Sequence, residues 1–455
     1  MDELLAEKPD EVDKNNTDSS ENDIPDIEID DSPSIDGELR TFIDHISSLS
    51  ATMDIAMKSI WVAFEKTRKE FLEFEKENVI RHEDNGKREL LVKADCAQQF
   101  NSLTKQLSTY SLAFKTIPRS YVMALISQYD AFLGRLLRVI YLTKPEMLNA
   151  SERNLTFAQL VEFGSIDDAK EYILEKEIES ILRKSHAEQF QILESKFDMP
   201  LRKGLNIWPT FIEITERRNL FVHTGGIVSS QYLKVCQEHN VPIKEIKVGD
   251  ELTVNPKYFE NAYNAVFEIG FKLAHVLWRK FIPDELGAAD GNLIDIGFDA
   301  LYSENYELTK MIFDFAAQTL KKYSREESRR IMIVNRSLAY KWSGDDKRAR
   351  EMISQEDWSA TRARFRLAEA VILENYDDAY EIMREIGKNR NEVAIEDYRT
   401  WPLFKAFKKT DGFQEVFKEI FDESYNKVEQ PSIELPKELV SETESTLAQK
   451  GDECS

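Results

Sequence analysis

Large apolar residues recur at mostly three- and four-residue intervals through Phe42, Ile46, Leu49, Met53, Ala56, Ile60, Phe64, Phe71 and Phe74. This spacing keeps one stripe of a helix apolar for about nine turns, a pattern that no strand or loop sustains. It predicts one long amphipathic helix starting near Gly37. The polar run 82–87 (HEDNGK) predicts a turn, and residues 90–114 predict a returning helix closed by Pro118. Such a helical hairpin is more often a dimerisation or docking element than a catalytic one. With only 16 Gly and 13 Pro in 455 residues, the rest of the chain is also expected to be mainly α-helical.

Residues 119–285 read as a helical bundle. Helices are expected over 121–142 (ending before Pro145), 157–163, 167–190, 208–223 and 258–281. Thr224-Gly225-Gly226 stops the fourth, because glycine accepts the left-handed turn that ends a helix. Residues 241–255 (VPIKEIKVGDELTVN) predict a small β-hairpin with Gly249-Asp250 at its turn. Within 286–428, four stretches share an apolar helix, a polar turn and a second helix. Their turns fall near Asn305, Gly344, Asn375 and Gly412, at spacings of 39, 31 and 37 residues. These spacings bracket the ~34 of a tetratricopeptide repeat. A tetratricopeptide-like helical-repeat solenoid is therefore expected, with a concave surface for a protein, peptide or nucleic-acid ligand.

The net charge of −23 is unevenly spread. Residues 1–36 carry −12 and residues 429–455 carry −5, which leaves −6 for everything between. Composition predicts two disordered acidic tails, either solubilising or, for the first, lying over a basic cleft as a nucleic-acid mimic. The remaining charge is ordinary, so a local basic site for RNA is not excluded. No apolar run suits a membrane span, and the acidic start MDELLAEKPDEVD has no secretory pattern. Cys96, Cys236 and Cys454 offer neither a disulfide framework nor zinc spacing. A cytoplasmic protein with no cofactor and no metal is expected.

Phosphate-loop, dinucleotide-binding, HExxH and GxSxG patterns are all missing from the sequence. Among six histidines, one lies in an arresting setting: Glu216-Arg217-Arg218-Asn219-Leu220-Phe221-Val222-His223-Thr224-Gly225-Gly226. RNA cleavage through the 2′-hydroxyl requires one proton removed from that hydroxyl and another delivered to the 5′-oxygen, transfers that an imidazole performs near neutral pH. Charge on the phosphorane calls for a fixed cation, and a guanidinium fork matches phosphate oxygens. His223 and Arg218 supply these groups without a metal, and Asn219 would bond the phosphate or hold the imidazole. His223 falls in the last helical turn, where the dipole favours positive charge.

Arg218, the polar Asn219 and His223 after four intervening residues resemble the Arg–His motif of the HEPN superfamily. The resemblance in setting covers residues 119–285. It implies a HEPN-type helical bundle acting as a metal-independent endoribonuclease, of the kind found in bacterial toxin–antitoxin, abortive-infection and antiviral defence systems. Some members have instead become RNA-binding or scaffold modules, so a non-catalytic adaptor is the alternative. Arg217, with five intervening residues, also fits the family spacing. Residues five apart on a helix diverge by about 140°, which points to a homodimer with a composite site, as the family resemblance also implies. RNA is the expected substrate, and a protein or peptide trigger, or an antitoxin, is the expected partner of the repeats. Asp130 would orient a motif residue or pair with Arg135. Tyr121, Phe132, Trp208, Trp278 and His275 are assigned to the core.

Overall fold

The computed structural model describes residues 33–84, 87–150, 155–243 and 245–425. The chain is mainly helical: sixteen α-helices and one two-stranded sheet among the described residues. A 44-residue helix α1 (Ile35–Asn78) leads into an antiparallel ribbon of β1 (Val79–Asp84) and β2 (Lys87–Val92). Helix α2 (Ala97–Thr143) then runs for 47 residues. After it come α3 (Phe157–Glu162), α4 (Ile166–Leu182), α5 (His186–Phe197), α6 (Trp208–His223), α7 (Ser230–Glu238) and α8 (Pro256–Phe281). The remainder consists of α9 (Leu286–Tyr302), α10 (Tyr306–Thr319), α11 (Glu326–Trp342), α12 (Asp346–Ile353), α13 (Ala363–Leu373), α14 (Tyr376–Ile386), α15 (Ile395–Thr400) and α16 (Asp411–Phe421).

The long helical hairpin is present, but its two ends differ from expectation. Its tip is the β-ribbon, in register from Val79↔Val92 to Asp84↔Lys87, where a simple turn was expected. Asn85-Gly86, the dipeptide that joins the strands, is the strongest two-residue hairpin signal a sequence carries. At the other end α2 does not stop at Pro118 but continues as one helix to Thr143. Proline costs about 3 kcal/mol inside a helix. Here Pro118 is itself buried, and the turns after it bury Val122, Leu125, Ile126 and Tyr129, so packing outweighs the loss. Beyond Met53 the hairpin is joined by aromatic contacts, Phe64 with Phe114 at 5.7 Å and Phe71 with Phe100 at 5.8 Å.

Three further expectations are corrected. Residues 241–255 form no strand pair; Val228 N–H donates to the Asp250 carbonyl and Leu252 N–H to the Gly226 carbonyl, each at 2.9 Å. Within the segment only local turn bonds form, such as Asp250 N–H to the Lys247 carbonyl at 3.1 Å, and its extended pairing is with the chain just after α6. The helix expected over 167–190 is split into α4 and α5, because Ser185 and Glu188 form a reciprocal cap that starts a new helix. The fourth repeat stretch has no first helix: Pro402 and Phe407 open short 3₁₀ turns, and α16 starts from Thr410, so Gly412 is helical. The acidic tails lie outside the described residues except at 33–36, where Ser34 caps α1 and Ile35 is fully buried.

Two apolar clusters organise the chain. The first joins the start of α1, the second half of α2, and α4 to α10; the second runs from Leu301 through α11 to α16. The first pair of the repeat region, α9 and α10, thus packs against the preceding bundle. At its centre Phe42 stacks on Phe132 at 4.4 Å, and a Cβ on Gly270 of α8 would meet Phe42 Cε1 at 2.4 Å. This close approach sets the distance between α1 and α8. Phe42→Ala is expected to cost ~3–5 kcal/mol and Gly270→Ala ~1–3 kcal/mol. Denaturant unfolding should find the double variant more stable than the sum of the two losses, since the shortened side chain makes room for the new methyl.

Candidate functional site

Helix α6 carries the motif, and its buried face fixes which arginine is available. Phe211, Ile212, Ile214 and Leu220 enter the core, and Glu213 enters with them at 7% exposure. A buried carboxylate requires partners. Glu213 receives three: Arg217 Nε donates at 2.6 Å, Tyr232 Oη at 2.7 Å and Tyr258 Oη at 2.8 Å. Arg217 also donates to the Thr253 carbonyl at 3.1 Å and lies 4.0 Å from the Tyr258 ring centroid. Burial opposes its charge, but Tyr258 and Glu213 hold it above its ordinary pKa. Arg217 is therefore held by the scaffold on three sides.

Arg218 points elsewhere. It is half-buried, its Nη1 donates to Asn219 Oδ1 at 3.2 Å, and its Nε is buried without a partner. No carboxylate among the described residues lies within ion-pair distance of it. Asn219 Nδ2 in turn donates to Glu216 Oε1 at 3.4 Å. Burial raises the Glu216 pKa, against the opposing pull of His186 and Asn219. His186, at the first position of α5, is hydrogen-bonded through Nε2 to Asp130 Oδ1 at 2.9 Å and packs between the Tyr129 and Phe211 rings. Asp130, Glu216, Asn219 and Arg218 are thus gathered with His186 where α2, α5 and α6 meet.

Two expectations about this region are settled by the pairing. Asp130 does not pair with Arg135; Arg135 Nε donates to Glu38 Oε2 at 2.5 Å, and Asp130 takes His186. His186 was not singled out from sequence. Its only local signal is the Ser185-x-x-Glu188 cap that places it at a helix start.

His223, the last residue of α6, is exposed and makes no side-chain hydrogen bond among the described residues. Among the described residues no hydrogen bond joins it to Arg218 or Asn219, although Asn219 lies four residues back on the same helix. Its backbone position is nonetheless fixed. Thr224 N–H and Gly226 N–H both donate to the Leu220 carbonyl, at 2.9 and 3.0 Å. Gly225 and Gly226 have φ of +63° and +92°, and a Cβ on Gly226 would sit 3.1 Å from the Leu252 carbonyl oxygen. From α2, Arg119 donates to the Gly225 and Leu252 carbonyls, both at 2.9 Å, and to Glu251 at 2.7 Å, over the Phe221 ring. The other singled-out residues lie in the core as expected: Phe132, Trp208 and Trp278 are buried, Tyr121 half so, and His275 fully, with its pKa pushed down to about 3 by burial and Arg279.

No described cluster of three or more His, Cys, Asp or Glu could hold a metal ion, and no described helix is long and apolar enough to cross a membrane. Comparison with protein-family models, curated proteins and solved structures finds no match to this chain.

Two stability measurements separate the roles on α6. Arg217→Ala strands Glu213 and is expected to cost ~3–5 kcal/mol. Arg218→Ala breaks no ion pair and should cost about 1 kcal/mol or less. Glu216→Gln tests the half-buried carboxyl. A raised folded pKa means that its ionised form is disfavoured by folding, a penalty absent at low pH and complete above the folded pKa. Denaturant unfolding should therefore show Glu216→Gln stabilising the protein more at about pH 8 than at about pH 4.

Proposed function

We propose that this chain is a HEPN-type endoribonuclease that cleaves RNA without a metal ion and acts as a homodimer in a bacterial-type defence or toxin system. The observation that carries the reading is the contrast between neighbouring arginines. Arg217 is engaged by Glu213, the Thr253 carbonyl and the Tyr258 ring, whereas Arg218 has no carboxylate partner among the described residues and is steadied only by Asn219. A half-buried guanidinium without a counter-charge is costly to keep, and an RNA phosphate would satisfy it.

In this reading His223 takes the proton from the 2′-hydroxyl as its oxygen attacks the adjacent phosphorus. Arg218 holds the phosphorane oxygens, and a second imidazole, from the other copy, returns a proton as the bond to the 5′-oxygen breaks. The products are a 2′,3′-cyclic phosphate and a 5′-hydroxyl. The helical pairs from α9 onward would restrain the site until a protein or peptide trigger binds, an inference from architecture. One feature favours the alternative of a non-catalytic adaptor or RNA-binding regulator: among the described residues none hydrogen-bonds His223 to hold its tautomer.

The test is total RNA incubated with the protein in excess EDTA. Wild type should leave cyclic phosphate ends. Arg218→Ala and His223→Ala should each lose ~10²-fold or more, while Asp130→Asn should lose less. Cleavage by wild type and double variant alike would sink the motif reading. A biological phenotype that survives His223→Ala would favour the adaptor.

A further inference from the structure

A cleft of about 360 Å³ opens between the end of α8 and the segment after α10. Its floor is apolar, formed by Met199, Val276, Leu286 and Leu320, and its charged lining is Arg279, Lys280, Lys321 and Lys322, with no carboxylate. The four cations converge from two separate elements of the chain. They are not neutralised nearby. Lys321 and Lys322 make no side-chain bond among the described residues, and Lys280 reaches only the Asp198 carbonyl oxygen, at 3.5 Å. Arg279 approaches Asp290 at 2.8 Å, but its Nε and Nη1 are buried without partners.

A basic residue at a helix C-terminus complements the dipole, which accounts for Lys280 on α8. It does not account for cations from two elements turned toward one apolar-floored cleft. A single carboxylate would leave most of that charge unbalanced, whereas a phosphate chain carries several negative charges. The volume lies in the range of small-ligand sites, about 300–1,000 Å³. A second trough of about 460 Å³ shares Val276 and Thr319 with the cleft and continues past Lys203, which leaves room for an elongated ligand.

We infer that this cleft binds a small organic di- or triphosphate, its phosphates among Lys280, Lys321 and Lys322 and its organic part on the aliphatic floor. The ligand touches α8 of the motif-bearing bundle and the segment after α10, both of which pack in the first apolar cluster. The site is separate from Arg218 and does not depend on the ribonuclease reading.

Isothermal titration calorimetry on the full chain tests it, with ADP, inorganic pyrophosphate and decanoate as probes. ADP should bind more tightly than pyrophosphate, decanoate should bind far more weakly, and added salt should weaken both phosphates. Lys321→Glu/Lys322→Glu, two exposed changes, should lower ADP affinity at least about tenfold, ~1.4 kcal/mol. Arg218→Ala should leave it unchanged. No binding of either phosphate at about 1 mM, equal binding by the double lysine variant, or loss of binding in Arg218→Ala would each overturn the assignment. Decanoate binding as tightly as ADP would overturn the phosphate class.

Discussion

The continuity of α2 is the constraint on which the rest depends. Its first half pairs with α1 in the projecting hairpin, and its second half runs through the core. The crossing point holds Pro118 and, next to it, Arg119. A break there would uncouple the hairpin from the bundle and swing Arg119 away from the turn that ends α6. The missing hydrogen bond at Pro118 is tolerated because Val122, Leu125, Ile126 and Tyr129 are buried immediately afterwards. Each apolar side chain fully buried contributes roughly 1.5–3 kcal/mol, so two or three outweigh the proline penalty. One turn beyond Tyr129, α2 also buries Phe132 against Phe42, which keeps α1 against the core.

Charge on α6 and around it follows one rule with one exception. Glu213 is buried and satisfied by three donors. Arg119 has two carbonyls and a carboxylate, Arg135 has Glu38, and Arg202 has Glu194. Arg218 lies among these with only an amide oxygen for company. Scaffolds of this kind neutralise their charges internally, so a cation left over is where an external anion gains most. The same rule singles out the cleft near Arg279, where three lysines have no counter-charge.

What sequence conveyed and what it did not divides by range. Helix α6 was legible to the residue because both its ends are local: Pro209 suits a first turn, and Thr224-Gly225-Gly226 forces a left-handed exit. The end of α8 at Phe281 is equally local, marked by Pro283, whereas the helix starts two residues before the expected 258, at Pro256 after the Asn255 cap. Residues 241–255 were misread because alternation reveals an extended segment but not its partner, which turned out to be the chain after Gly226. The split at Ser185 was readable from its cap and was overridden by apolar periodicity on both sides. The pairing of Asp130 with His186 spans 56 residues, and nothing in either neighbourhood announces it. The choice between Arg217 and Arg218 likewise required knowing that Glu213 faces inward together with Tyr232 and Tyr258.

The remaining geometry bears on assembly. Five residues along α6 separate Arg218 from His223 by about 140° and about 7.5 Å of rise. Arg218 leans on Asn219 toward the junction with α2 and α5, whereas His223 stands exposed at the helix end. An imidazole that moves protons at a set atom needs a second group to fix which nitrogen carries the hydrogen. Among the described residues none does so for His223, although Arg119 and the double glycine hold its backbone firmly. In the proposed ribonuclease reading, this imidazole would take its partner from outside the described residues of its own chain. A second copy related by two-fold symmetry would bring another Arg218 and Asn219 toward it, and the RNA phosphate would lie between them. The single-chain arrangement thus favours a site assembled at an interface over one enclosed within the chain.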